Sequence, residues 1–414
     1  MKVFIQSPHA LKNKVLTRIS GSKSESNRLL ILRELYPNLK IDNLSDSDDT
    51  DVLIEALTSS QKTIDIGHAG TTMRFLTAYF SICENRKVVL TGSPRMQERP
   101  VGILVEALKN LGADIQYVKN KGYPPLKISG KNIVKNRVKI NAETSSQFIS
   151  ALLLIAPKLP FGLHLELEGE IASLPYIEMT VSLLQKIGIE VHFNDNEISV
   201  FPKSEIEDTT ITVESDWSSL SYYYSLMALS DNDEWVLGFR HFSNQSFQGD
   251  RDLNFLYEGL GVQTIFDEES KTVILKKNTI PRAEKAFFHL EDSPDLAQTI
   301  AVTCLGLGMG CHLTGLKTLK FKETDRLQAL KTELEKLGAE VEITNDSLEF
   351  EPCPHINPDV QIETYQDHRM AMAFAPLGLI VPVVIRDAEV VSKSYPHFWR
   401  DLERTGINFK VEEN

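Results

Sequence analysis

The sequence predicts an α/β protein built from six repeated units in two sets of three. Two observations carry this. At 414 residues the chain exceeds what one ordinary core sustains, so at least two domains are needed. Five stretches also share one pattern: "LKNLGADIQYV" around Gly112, "LQKIGIEVHF" around Gly188, "LYEGLGVQTIF" around Gly261, "LEKLGAEVEI" around Gly338 and "LERTGINFKV" around Gly406. Each is an apolar helix, a glycine suited to a left-handed C-cap, and an alternating strand with one buried face. They recur at roughly 70-residue intervals, far longer than a solenoid repeat. "LIEALTSSQKTIDIG", Leu53 to Gly67, reads as a sixth, abbreviated copy without the glycine cap. A single junction of this kind occurs in any α/β protein; five with the same framing set the architecture.

Composition narrows the function. The charged residues are 24% and the hydrophobic set 42%, with no low-complexity tract, so the whole chain is expected to fold. A net charge of −13 argues against nucleic-acid and anionic-membrane surfaces. The longest apolar stretch, "MAMAFAPLGLIVPVVI" from Met370 to Ile385, is too short to span a bilayer and is interrupted by Pro376, Gly378 and Pro382, so it reads as core. The N-terminal "MKVFIQSPHALKN" lacks signal and transit character, and a cytoplasmic location is expected. Cys83, Cys304, Cys311 and Cys353 have no metal spacing and read as reduced thiols.

In chain order, the helix starts carry an unusual feature. "SGSKSESNRLLILREL", Ser20 to Leu35, is a loop entering a helix with Lys23 and Arg28 at its beginning, against the helix dipole unless an anion sits there. "GHAGTTMRFLTAYF" repeats this with Arg74, "FKETDRLQALKTEL" with Lys322 and Arg326, and "YQDHRMAMAFAPL" with His368 and Arg369. "AETSSQFISALLLIA" places Ser145, Ser146 and Gln147 at the same point, where ordinary capping is the simpler explanation for Ser145. Lys322 and Arg326, four apart, are expected on one helix face, with Glu323 and Asp325 as candidate counter-ions. "TGSPRMQERPVGILVEAL" adds Arg95 and Arg99, and "VVSKSYPHFW" adds Lys393. Arginine grips carboxylate or phosphate with two bonds and lysine acts as a point charge, so the mixture suits a ligand carrying both groups. Asp295 in "EDSPDLAQTIAV" and Glu323 are the acids placed among these cations, although capping and ion pairing account for each alone.

"GSKSESNR", "AGTTMR", "PRMQERP", "SSQF", "SLPYIEMT", "SPDLAQT", "KETDRL", "YQDHRMAMAF" and "SKSYPHFW" resemble, in order and almost end to end, the motifs of the 5-enolpyruvylshikimate-3-phosphate synthases. The resemblance implies a two-domain inside-out α/β barrel of the enolpyruvyl transferase type, with six βαββ-type units and an active site in the interdomain cleft. The domains would be residues 20–215 and residues 1–19 plus 216–414. It implies transfer of the carboxyvinyl group of phosphoenolpyruvate to the 5-hydroxyl of shikimate 3-phosphate by addition and elimination, in the shikimate pathway, without metal or organic cofactor. Carried over position by position, the shikimate 3-phosphate contacts are Lys23, Ser24, Arg28, Ser145, Ser146, Gln147, Ser173, Tyr176, Asp295, Thr318 and Lys322. The phosphoenolpyruvate contacts are Lys23, Gly70, Arg99, Gln147, Arg326, Arg369 and Lys393, and the proton-transfer candidates are Asp295, Glu323 and Lys23. His68, Phe75, Leu174 and Thr318 depart from the usual residues of the family.

The expected partners are these two small molecules, with no nucleic acid and no membrane, and the chain is expected to be a monomer. Three rivals remain. The sister family acting on UDP-N-acetylglucosamine typically carries a cysteine ahead of an Arg-Pro pair, and "SPRMQERPVG" has none. A phosphate-binding NTPase needs Gly-Lys-Ser/Thr, and Ser22 intervenes in "SGSKS". A non-catalytic anion-binding protein on the same fold would not need the full set of matched charges.

Overall fold

The structure, a computed structural model, describes residues 1–6, 10–12, 15–143 and 145–413. Ser7, Pro8, His9 and Asn13 of the N-terminal stretch and Thr144 ahead of Ser145 lie outside them. The chain gathers into two compact units, Gly21–Val213 and Met1–Ser20 with Glu214–Asn414.

The first unit, Gly21–Val213, holds helices α1 (Lys23–Leu35), α2 (Asp48–Thr58), α3 (Gly70–Ile82), α4 (Gly102–Leu111), α5 (Ser146–Ile155) and α6 (Leu174–Lys186). Strands Thr63–Asp65, Lys87–Thr91, Leu126–Ser129 and Asp114–Tyr117 form one four-stranded sheet in that order. Val191–Asn194, Glu197–Val200, Leu163–Glu168 and Arg137–Asn141 form a second. Thr209–Thr212 pairs in parallel with Leu39–Asp42 as a two-stranded third. The residues of Leu163–Glu168 alternate between buried and more exposed, whereas α3 and α5 are buried nearly all round. A half-buried strand belongs on a surface and a helix apolar on every side belongs inside, so the sheets lie outside the helices.

The second unit repeats the scheme with α7 (Trp217–Leu229), α8 (Leu253–Leu256), α9 (Ala297–Gly306), α10 (Arg326–Lys336), α11 (His368–Phe374) and α12 (Phe398–Arg404). Its three sheets each have four strands. In each, one pair of strands is parallel and two are antiparallel, as in the two larger sheets of the first unit. The stretch Met370 to Ile385 is mostly core, running through α11 and a 3-10 turn into strand Val383–Arg386, but it reaches the surface between them, where Ile380 is 42% exposed. All four cysteines are free, with Cys304, Cys311 and Cys353 buried. Among the described residues no helix is long and apolar enough to cross a membrane.

The five glycines of the repeat all adopt left-handed φ values, from 81° at Gly188 to 114° at Gly112, and each precedes the edge strand of a four-stranded sheet. The stretch Leu53 to Gly67 does form a helix followed by a strand, but it is not a sixth copy. Its strand Thr63–Asp65 opens the next sheet, parallel to Lys87–Thr91. Without a capping glycine the chain does not turn back into an antiparallel edge strand, and the incomplete sixth sheet is the Leu39–Asp42 and Thr209–Thr212 pair.

These glycines separate two costs. A Cβ at Gly112 meets nothing within 4 Å, whereas at Gly406 it falls 1.9 Å from the Ala10 carbonyl oxygen. Gly112→Ala is therefore expected to lose about 1 kcal/mol, the cost of the backbone conformation alone. Gly406→Ala should lose at least twice that, measured by denaturant unfolding of both variants.

Candidate active site

In the second unit, three separate segments deliver charge to one point. Asp295 lies in the 3-10 turn Pro294–Leu296 leading into α9. Arg326 opens α10, whose cap Asp325 accepts from the Gln328 amide. Asp367 caps α11 by accepting from the Arg369 amide at 2.9 Å. Arg326 is 2% exposed, and its guanidinium reaches three carboxylates. Nη1 donates to Asp295 Oδ1 at 2.6 Å, Nη2 to Glu323 Oε2 at 2.8 Å, and Nε to Asp367 Oδ2 at 2.6 Å.

Asp295 is shared further. Lys322 Nζ stands 3.0 Å from its Oδ1, and Arg369 Nη2 donates to its Oδ2 at 3.3 Å while Arg369 Nη1 donates to its backbone carbonyl at 3.1 Å. Burial alone would raise the Asp295 pKa, but Arg369, Lys322 and Arg326 outweigh it and hold the carboxyl well below the usual carboxylate range. Burial likewise works against the Arg326 cation, and Asp367, Glu323 and Asp295 more than restore it. The other oxygen of Glu323, Oε1, faces Lys393 Nζ at 3.5 Å. Thr318 lies in the turn Lys317–Phe321, and among the described residues its buried hydroxyl oxygen has no hydrogen-bond partner.

The backbone is strained where it presents Asp367. Tyr365 and Gln366 both sit in the left-handed region, at φ 53° and 56°, and the Tyr365 hydroxyl is tied to Glu333 Oε1 at 2.5 Å. Non-glycine residues adopt this conformation only when the surroundings impose it, and such strain gathers at functional sites.

The first unit handles its cations differently. Lys23 opens α1 and its Nζ meets Asp49 Oδ2 at 3.0 Å. Arg28, 2% exposed, is held by neutral oxygens: Thr180 Oγ1 at 2.7 Å, Ser150 Oγ at 3.0 Å, and the carbonyls of Ser24 at 2.8 Å and Tyr176 at 3.2 Å. Burial lowers its pKa to about 10. Arg99 lies against Gly70, where a Cβ would come within 2.5 Å of its Nη1. It is 7% exposed, and among the described residues its buried Nε has no hydrogen-bond partner. A nearly buried cation with an open donor is a receptor for an anion.

Around these, Ser145 caps α5 by accepting from the Gln147 amide at 3.3 Å, and Gln147 Nε2 reaches Thr71 Oγ1 at 3.4 Å. Ser146, at the first position of α5, is buried. Ser173, at the cap of α6, is held at φ 56° without a capping side-chain bond. Arg74 serves the backbone, donating to the carbonyls of Gly70 at 3.0 Å and Pro100 at 3.1 Å.

Asp295, Lys322, Glu323, Arg326, Arg369 and Lys393 are thus brought together in the second unit, and Gly70 with Arg99, Gln147 with Ser145, and Arg28 with Ser24 and Tyr176 in the first. One expectation is corrected. Lys322 and Arg326 do not share a helix face, because α10 begins only at Arg326 and Lys322 is extended at φ −81°, ψ −157°. They converge because both are drawn to Asp295 Oδ1. Sequence reasoning missed Asp367 and Asp49. Asp367 had a legible signal, a capping residue directly before two basic residues; Asp49 sits in an acidic run, "DSDDT", in which nothing marks it out.

The chain matches the family model of EPSP synthase (3-phosphoshikimate 1-carboxyvinyltransferase) over residues 54–402. It is 43% identical over 427 residues to the 3-phosphoshikimate 1-carboxyvinyltransferase of Bacteroides fragilis (strain YCH46), covering 100% of both chains. It is 36% identical to the protein of that name from Vibrio campbellii, over 93% of this chain and 95% of the other. Among solved structures, EPSP synthase from Acinetobacter baumannii matches with a TM-score of 0.78 at 20% identity over 100% of both chains. The enolpyruvyl transferase NikO from Streptomyces tendae matches with a TM-score of 0.72 at 14% identity, over 99% of this chain and 98% of that one. The fold is accordingly the two-domain α/β fold of the enolpyruvyl transferases.

The carboxylates around Arg326 make a stability prediction. Asp367→Ala leaves a buried guanidinium short of a charge and removes the cap of α11, and is expected to cost about 3–5 kcal/mol in denaturant unfolding. Asp367→Asn keeps a capping oxygen and should recover part of the loss.

Proposed function

The chain belongs to the EPSP synthase family, and we infer that it transfers the carboxyvinyl group of phosphoenolpyruvate to the 5-hydroxyl of shikimate 3-phosphate, releasing phosphate. The observation that carries this is the 43% identity to a 3-phosphoshikimate 1-carboxyvinyltransferase across the full length of both chains. It is a transferase of aromatic amino-acid biosynthesis.

The reaction assigns the residues. A proton added at C3 of phosphoenolpyruvate makes C2 electrophilic, and the 5-hydroxyl oxygen adds there as its proton leaves. The tetrahedral adduct then loses a C3 proton and phosphate to give the enol ether. We assign the hydroxyl proton to Asp295, the carboxylate on which Arg326, Lys322 and Arg369 converge. Glu323 is assigned the proton at C3, and Lys23 assists at the reacting oxygens. Lys322 and Thr318, with Ser24, Arg28, Ser145, Ser146, Gln147, Ser173 and Tyr176, hold shikimate 3-phosphate. Arg99, Arg326, Arg369 and Lys393, with Lys23, Gly70 and Gln147, hold phosphoenolpyruvate. The unpartnered buried Nε of Arg99, among the described residues, supports its part. At Arg326 a ligand anion competes with protein carboxylates, since Asp295, Glu323 and Asp367 take four of the guanidinium's five donors. The same reading takes residues 20–215 and residues 1–19 plus 216–414 as the two domains, supported by the two compact units, and makes the protein a cytoplasmic monomer.

Phosphate release should require both substrates together; release with UDP-N-acetylglucosamine in place of shikimate 3-phosphate would contradict the assignment. Glu323→Gln keeps shape and hydrogen bonding but removes the titrating proton, so turnover should fall roughly 10²–10⁴-fold with both KM values nearly unchanged. Near-normal turnover with raised KM values or a lower melting temperature would reduce Glu323 to a counter-ion of Arg326 and Lys393.

A further inference from the structure

Asp250 belongs to neither substrate set, and it is held in an unusual way. It lies in the 3-10 turn Gly249–Asp252 ahead of α8, is 2% exposed, and among the described residues its Oδ1 has no hydrogen-bond partner. Its Oδ2 accepts a hydrogen bond from the Ser218 hydroxyl, at the start of α7. Ser218 Oγ in turn accepts from Arg369 Nη2 at 3.1 Å. The turn is fixed in place by Gln248, whose Oε1 accepts from the Trp217 amide at 3.1 Å and whose Nε2 donates to the Ser215 carbonyl at 2.9 Å.

A serine hydroxyl has one proton and two lone pairs. Once Asp250 takes the proton, Ser218 can show only a lone pair to the guanidinium, so the carboxylate sets the sense of the whole chain of bonds. A buried carboxylate with one bonded oxygen is a poor structural element, since its desolvation is barely offset. An asparagine or an apolar residue would fill the space at lower cost. The charged groups that face it are Arg369, Asp295 and Asp216. Burial pushes its carboxyl up to about 6, Arg369 draws it down, and Asp295 and Asp216 push it up. At neutral pH it is therefore an acceptor rather than a donor.

We propose that Asp250 is a positioning residue for the enolpyruvyl transfer, acting through the Ser218 hydroxyl to fix the Arg369 guanidinium in the orientation that receives phosphoenolpyruvate. The proposal rests on the reading of Arg369 as a phosphoenolpyruvate contact. Asp295 holds Arg369 through its Oδ2 and its backbone carbonyl, and Ser218, itself bound to Asp250, holds it through Nη2, so the guanidinium is fixed from two separate segments.

The test is steady-state kinetics of Asp250→Asn, Ser218→Ala, the double variant and Arg369→Ala, with both KM values and kcat measured. Asp250→Asn should raise KM for phosphoenolpyruvate roughly tenfold, the effect of one hydrogen bond to a charged group, with kcat and KM for shikimate 3-phosphate little changed. Ser218→Ala should give a similar rise, and the double variant should be no worse than the single ones, because both act on one chain of bonds. An unchanged KM for phosphoenolpyruvate in Asp250→Asn, an equal rise for both substrates, or additive losses in the double variant would overturn the proposal. Should Asp250→Asn fail to fold, Ser218→Ala decides alone, and an unchanged KM for phosphoenolpyruvate there overturns it. If Arg369→Ala leaves that KM unchanged, the assignment of Arg369 falls and the proposal with it. A large effect of Arg369→Ala beside none from Asp250→Asn overturns the positioning role only.

Discussion

A guanidinium does not lose its charge at any pH a protein meets, so burying Arg326 to 2% exposure obliges the fold to bring carboxylates to it. Asp295, Glu323 and Asp367 answer that demand from three separate segments. Much of the second unit follows from it. The left-handed pair Tyr365–Gln366 is tolerated because it delivers Asp367, and the Tyr365 hydroxyl bound to Glu333 keeps that turn in place. Asp295, once committed to Arg326, becomes the anchor for Lys322 and Arg369 as well. The result is a cluster of cations held close by shared carboxylates, at which a ligand anion competes with protein anions.

The first unit meets a similar requirement without carboxylates. Arg28 is buried just as deeply, yet hydroxyls and carbonyls satisfy it, and its charge is less stable there. Among the described residues the buried Nε of Arg99 has no hydrogen-bond partner. Lys23, by contrast, has an acidic partner in Asp49. A ligand anion arriving at Arg99 can meet an open Nε, whereas one arriving at Arg326 competes with protein carboxylates. The two arginines are therefore expected to contribute to binding in different ways, Arg99 through a new contact and Arg326 in competition with those carboxylates.

How far the sequence reveals this depends on the kind of interaction. The five glycine junctions were legible because a left-handed C-cap nearly demands glycine, and all five have positive φ. The stretch Leu53 to Gly67 misled because helix followed by strand looks the same whether the strand closes one sheet or opens the next; only pairing tells them apart. Among the site residues, the cations at helix starts stood out because they oppose the dipole. Lys322 and Arg326 were read as one helical turn, and the structure brings them together across a loop instead, since attraction to a shared carboxylate does not depend on helical spacing. Asp49, Ser218 and Asp250 left no mark, because a common polar residue gains its role only from what the fold puts beside it.

Asp295 is an ionised carboxylate in the free protein, kept so by Arg369, Lys322 and Arg326. Its folded pKa lies below the unfolded 3.8, so its contribution to stability is present above that pH and is lost as the solution is acidified toward the folded value. Carbon-13 NMR of the labelled side-chain carboxyl, assigned by comparison with Asp295→Asn, reads this directly. The account predicts that in the folded protein the resonance keeps its ionised shift at pH 3.8, where an ordinary aspartate is half protonated. A midpoint at or above that pH would contradict it.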